Sequence, residues 1–280
     1  IFKTFFILWL IKLQATFYYS VQGALSVRLF KSYIGRNYSF HLNNNSAKLL
    51  SNTITETTQL AQGFASSFLL LINDVLIIVM ILVVLFLFEP VGALVSCLLF
   101  GSMSFLLFAV SKSKSASWGQ SRQDKEAQRV KSAQQGFNGV KDIKLYGREN
   151  LFIHKYQEAT DISLKAGRNQ TVLQQVPKVF LELVAVSALS ALIAYLIFKG
   201  DQSNLVASLS LFAAAAFKLL PTLARLVQSS QAIIFNTPVV TLIFDELFGS
   251  ENGYKPNDKI STSNKPALKF EKNIKISNLA

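Results

Sequence analysis

Asp74, Lys178, Glu182, Lys218 and Arg225 stand inside stretches that are otherwise built from apolar residues. A charge held at the centre of a bilayer costs roughly 2.5–3.5 kcal/mol on insertion scales, so each of these side chains needs a partner or a water-filled cavity. Cations at Lys178, Lys218 and Arg225 that line a central cavity would attract an anionic head group, with Asp74 and Glu182 as counter-charges beside them. The bland alternative is that Lys178 meets Glu182 one turn on, while Lys178 and Arg225 snorkel to the inner interface. Pro177 and Pro221 lie beside these charges and read as kinks rather than contacts, because proline removes a backbone donor inside a helix.

The elements that carry these residues are two apolar hairpins. Residues 64–88 turn at Glu89-Pro90 into residues 91–110, and residues 172–198 turn at Gly200-Asp201 into residues 205–235. With residues 1–28 they make five arms, each long enough to cross roughly 30 Å of hydrocarbon as a helix of about 20 residues. Counted from the outer turns at 1.5 Å per residue, Asp74 and Lys218 both fall about 21 Å deep, and Lys178 and Arg225 about 32 Å deep. The count therefore pairs Asp74 with Lys218.

Composition excludes an ordinary soluble domain. The 280 residues are 51% hydrophobic and only 16% charged, with a mean hydropathy of +0.35. Residues 75–88 contain no polar side chain, whereas a soluble helix keeps its apolar residues to one stripe. The net charge of +12 does not indicate nucleic acid, since no aromatic platform or zinc spacing accompanies the basic residues. They gather instead in two long loops, around Arg28 to Lys48 and between residues 111 and 171, so the positive-inside rule places those loops in the cytoplasm. Cys97 reads as a packed thiol, and His41 and His154 lack partners at metal-ligand spacing. No metal is expected.

The membrane arms are expected to run on into the cytoplasm. Residues 112–135 contain no proline and are rich in Ala, Gln, Lys and Arg, which is helix-forming composition; residues 151–175 repeat apolar positions every three or four residues. Continuous helices over 91–135 and 151–198 would each reach on the order of 70 Å. Between them lies Gly136-Phe-Asn-Gly-Val-Lys-Asp-Ile-Lys-Leu-Tyr-Gly147, where Val140, Ile143, Leu145 and Tyr146 give a small apolar face with Lys141, Asp142 and Lys144 beside it. A surface turn needs no such face, so Gly139 to Tyr146 reads as a docking element. The first loop has a weaker counterpart, in which Asn45 or Ser46 caps a short helix presenting Leu49 and Leu50. After Phe248 a polar linker, 249–267, leads into the alternation of Leu268, Phe270, Ile274 and Ile276, a strand signal. The chain opens at Ile1 without an initiator Met and stops inside that alternation, so it reads as an excerpt of a longer protein.

This plan resembles the six-helix exporter subunits of the ATP-binding cassette superfamily, and Gly139-Val-Lys-Asp-Ile-Lys-Leu-Tyr-Gly-Arg-Glu149 looks like their second coupling region. The resemblance implies an all-α membrane protein: residues 1–248 as the transmembrane domain with its first helix missing, a linker at 249–267, and the first strands of a nucleotide-binding domain at 268–280. It also implies a second copy of the chain, nucleotide-binding domains in cis and in trans, and alternating access in a bacterial inner membrane. Within the superfamily, Pro177-Lys-Val-Phe-Leu-Glu182 and Phe217-Lys-Leu-Leu-Pro221 are similar to runs in the flippases of lipid-linked oligosaccharides, whose cargo carries a pyrophosphate. Lys178 and Lys218 stand where those runs have arginine, and lysine meets phosphate as a point charge without the bidentate fork. No Gly-x-x-x-x-Gly-Lys-[Ser/Thr] run occurs in the 280 residues, so ATP and magnesium are expected on the missing domain and no cofactor on this chain. A peptide or multidrug exporter remains an alternative, as does a channel or assembly subunit without ATPase whose basic helices bind anionic lipid.

Overall fold

The computed structural model describes residues 2–88, 90–199 and 205–249. Helix α1 (Phe2–Ile34) leads through two short helices, α2 (Tyr38–Asn43) and α3 (Ser46–Ser51), into α4 (Ser66–Phe88). Then come α5 (Pro90–Asn138), the short α6 (Val140–Leu145), α7 (Glu149–Lys199) and α8 (Leu205–Phe248). The described residues contain no strand. The expected linker and strands at 249–280 lie, apart from Gly249, outside the described residues.

The long helices are continuous, as their composition requires. α5 has 49 residues and α7 has 51, which at 1.5 Å per residue is roughly 75 Å each. α5 passes through Gly136 and ends at Asn138, so Gly139 rather than Gly136 makes the break before α6. Gly147, with φ of 59°, takes the left-handed conformation that lets the chain reverse into α7. α8 continues to Phe248, well past the expected end of its membrane arm, and carries Pro221 and Pro238 inside it.

Outward-facing residues of the hairpins are apolar. Met80 is 70% exposed and Leu87 76%, the inverse of a soluble bundle and the mark of a lipid-facing surface. By length and composition, α1, Gln59–Leu87, Cys97–Asn138 and Phe217–Phe248 can each cross a membrane. The fifth expected crossing, residues 172–198, forms the second half of α7.

Two apolar cores sit at different levels. At the membrane level Leu85, Phe100, Leu181, Leu219 and Leu223 join α4, α5, α7 and α8. At the other end Leu29, Tyr33, Val239, Ile243 and Leu247 join α1 to α8. Between them the packing is polar. Gln231 donates to Ser111 at 2.9 Å, Gln59 to Asn236 at 2.7 Å, and Arg122 to Glu56 at 2.8 Å. The backbones come close here: a methyl on Gly119 would collide with the carbonyl of Phe235, so α5 can meet α8 only with glycine at that point. The chain from Asn52 to Ala65 is largely π-helical, in Asn52–Glu56 and Gln59–Ala65. Such turns are uncommon and cluster at functional places.

Candidate functional site: a charged cavity between two long helices

Gln175, Lys178 and Glu182 recur at helical spacing on α7, and Phe217, Leu220, Pro221, Ala224, Arg225 and Gln228 do so on α8. These two faces enclose a cavity of about 600 Å³. The structure thus brings together three of the five expected charges, Lys178, Glu182 and Arg225. Asp74 on α4 stands behind them, 1% exposed, and one of its oxygens accepts from Nε of Arg225 at 3.2 Å and from Nη2 at 2.9 Å.

Lys218 does not join this group. It is exposed and is not among the residues lining the cavity. The expected Asp74–Lys218 pair is therefore replaced by Asp74–Arg225. Lys218 and Arg225 are seven residues apart and share a helix face, so the face was right and the level was not. Counting depth from the turns assumes parallel helices with level ends, and the observed pair offsets α8 from that alignment by about 10 Å along its axis. Among the described residues no ion pair joins Lys178 to Glu182, although the two lie one turn apart.

The geometry divides the work between the charges. Asp74 compensates Arg225 inside the bundle and fixes its guanidinium at the cavity wall, and the Arg225 side chain stays 51% exposed. Lys178 supplies a second cation on the facing helix. Phe217, Leu220, Pro221 and Ala224 make an apolar patch of the wall beside the polar Gln175, Glu182 and Gln228, so Pro221 is a lining residue as well as a helix irregularity. Two cations, against the single lining carboxylate of Glu182, beside an apolar patch suit an amphipathic anion: the head group meets the cations, and its apolar part faces the patch. Gln175, Gln228 and Phe217 were not singled out from sequence. Their periodicity with Lys178 and Arg225 is the signal that would have found them.

The expected docking segment is α6. Val140, Leu145 and Tyr146 are 52%, 74% and 73% exposed, whereas Ile143 is turned inward at 9%; it anchors the helix and is not part of the offered face. Lys141 and Asp142 are exposed, and Lys144 pairs with Glu149 at 3.0 Å. The first turn of α7 lowers the Glu149 carboxyl, first through the residue's own backbone N–H and then through Lys144. A groove of about 430 Å³ runs beside α6, lined by Phe137, Val140, Phe152, Ile153 and Tyr156 among others.

In the first loop Asn45 does cap a helix, accepting from the Ala47 N–H at 2.9 Å, but α3 is the start of the long run into α4. Leu49 packs against the α1–α8 core and is not presented; Leu50 is 47% exposed. The separate short helix is α2, one turn earlier in the chain. It exposes Tyr38 and Leu42 at 76% and 69%. Six residues from Tyr38 to Asn43 gave too short a pattern to be read from sequence.

Glu56 and Arg122 form a second site that sequence did not show. Both are buried, and the Glu56 carboxyl is pushed above the usual carboxylate range by burial, against the pull of Arg122. Nearby, Glu126 on α5 accepts from Arg129 at 2.6 Å and from Ser163 on α7 at 3.3 Å.

Long apolar helices, their extensions and the exposed short helices at their tips agree with one comparison. Residues 7–218 match the family of the ABC transporter transmembrane region, and this chain, an integral membrane protein, belongs to it.

Proposed function

We propose that this chain is the substrate-translocating part of an ATP-driven exporter or flippase that moves a lipid-linked oligosaccharide, or another amphipathic lipid-like anion, by alternating access. One observation carries the reading: Arg225, held by buried Asp74, and Lys178 line one cavity whose wall also carries an apolar patch of Phe217, Leu220 and Pro221. A cavity between helices α7 and α8 of a membrane bundle can take a pyrophosphate between two cations while the lipid stays against the apolar side. The family works with a nucleotide-binding domain. On this reading that domain follows the linker at 249–267, binds ATP and magnesium, and docks on α2 and α6, with a second copy of the chain completing the cavity. On this reading the charge distribution puts the basic loops in the cytoplasm, and the bacterial inner membrane is what the likeness to the flippases implies.

The test is reconstitution of the full-length protein in proteoliposomes with lipid-pyrophosphate oligosaccharides, peptides and drugs in parallel. Transport of the first, lost in K178A and R225A, supports the proposal. Transport of neutral or cationic drugs that survives both substitutions replaces it with a multidrug exporter, which the Phe217, Leu220 and Pro221 wall would also serve.

A further inference from the structure

Arg36 stands at the turn between α1 and α2 and reaches to the far end of the chain. Its Nη2 donates to the backbone carbonyl of Glu246 on α8 at 2.8 Å and lies 3.6 Å from the Glu246 carboxylate. The guanidinium carbon sits 4.3 Å from the ring centre of Phe40 on α2 and 5.4 Å from that of Tyr33 on α1. The side chain is 9% exposed, and its Nε and Nη1 are buried without a hydrogen-bond partner. A planar, weakly hydrated guanidinium tolerates such a place against aromatic rings; an ammonium does not.

The surroundings make this contact a junction. Tyr33 stacks on Phe40 with centroids 6.2 Å apart, and Tyr33 accepts from Asn52 at 3.1 Å. Both rings pack on the core that holds Ile243 and Leu247. α2 thus turns Phe40 inward to Arg36 while showing Tyr38 and Leu42 outward, and α8 ends two residues after Glu246.

We infer that Arg36 is a positioning residue that makes α2 and the last turn of α8 move as one body. The inference rests on the coupled-exporter reading above. A motor domain would push on α2 from outside and pull on α8 through the chain, and the Arg36 junction keeps the two inputs in step.

The experiment uses the full-length protein in a cysteine-free background that includes C97S, with nitroxide labels at Asn43, at the end of α2 beside its docking face, and Asp245, both exposed. The label–label distance in the wild type is expected to stay the same between the nucleotide-free and ATP–vanadate states. In R36K, which keeps the charge and loses the planar fork, the distribution should broaden in both states. In proteoliposomes, R36K should lower substrate moved per ATP by about fivefold or more while ATPase is little changed. A wild-type distance that shifts with nucleotide overturns the inference. So does an R36K distance that matches wild type, or a parallel loss of ATPase and transport that tracks the melting temperature. Failure of the exporter reading looks different: a wild type that moves none of the three substrate classes. The nucleotide-free distance comparison still reads the junction in that case.

Discussion

Asp74 with Arg225 and Glu56 with Arg122 are the same chemistry at two levels of one bundle. Each carboxylate is almost wholly buried, at 1% and 2%, and each arginine approaches within 2.9 and 2.8 Å. The difference lies in the cation: the Arg225 side chain is 51% exposed and that of Arg122 only 11%. A guanidinium held on one side and open on the other can bind something else, whereas one sealed on both sides can only tie its neighbours together. The first pair therefore belongs to the cavity and the second to the joint between α5 and the π-helical run before α4.

Breaking the sealed pair should have the largest effect. E56A or R122A leaves a buried charge without compensation, a loss of roughly 3–5 kcal/mol, seen as collapse of the monodisperse peak in size-exclusion chromatography of the detergent-solubilised protein. The double variant E56L/R122M removes both charges and should regain most of the loss. Should D74A, which leaves the half-exposed Arg225, destabilise the fold as much as E56A, which leaves the sealed Arg122, the contrast between the two pairs is wrong.

The open pair should show the reverse pattern. R225A in a D74N background, which leaves no charge buried behind the cavity, is expected to keep the protein monodisperse and to weaken binding of lipid pyrophosphate about tenfold, or 1.4 kcal/mol, read as the concentration that half-stimulates ATPase. D74N alone should shift the same curve less, because Arg225 remains but is held by a neutral partner. Equal ATPase curves for D74N/R225A and wild type would move the site elsewhere.

The smallest effect concerns pH. Burial raises the Glu56 carboxyl from its usual value of 4.5, so the folded protein holds this proton more tightly than the unfolded chain does. Between the two pKa values the fold binds more protons, and stability contributed at this site is lost as pH rises from about 4.5 through the raised value. E56Q has no proton to lose. Apparent melting temperature, taken at one scan rate, should thus fall in wild type relative to E56Q across that window; an opposite slope would mean that Arg122 outweighs burial.

The two pairs were unequally legible in the sequence. Asp74 and Arg225 announce themselves because charge is costly among apolar residues, so both were singled out, and only their pairing was misjudged. Glu56 and Arg122 lie in polar surroundings where a charge costs nothing to explain, and nothing in Asn52-Thr-Ile-Thr-Glu56 signals burial. The short helices behave alike. α6 was readable through its flanking glycines and apolar face, while α2 carries no cap or repeat and only its exposure in the fold reveals it.

Composition and periodicity by themselves determined that this chain crosses a membrane, that α5 and α7 run far beyond it, and that charge had to be sheltered inside. Those properties are local: helix propensity, apolar run length and the cost of a buried charge act residue by residue. Which charges meet, that Lys218 stays outside while Arg225 turns to Asp74, and that Arg36 reaches Glu246 some two hundred residues away were decided only by the tertiary structure. They depend on the offset and rotation of helices against one another, set by close approaches such as Gly119 on Phe235 and by π-helical turns that rotate everything after them.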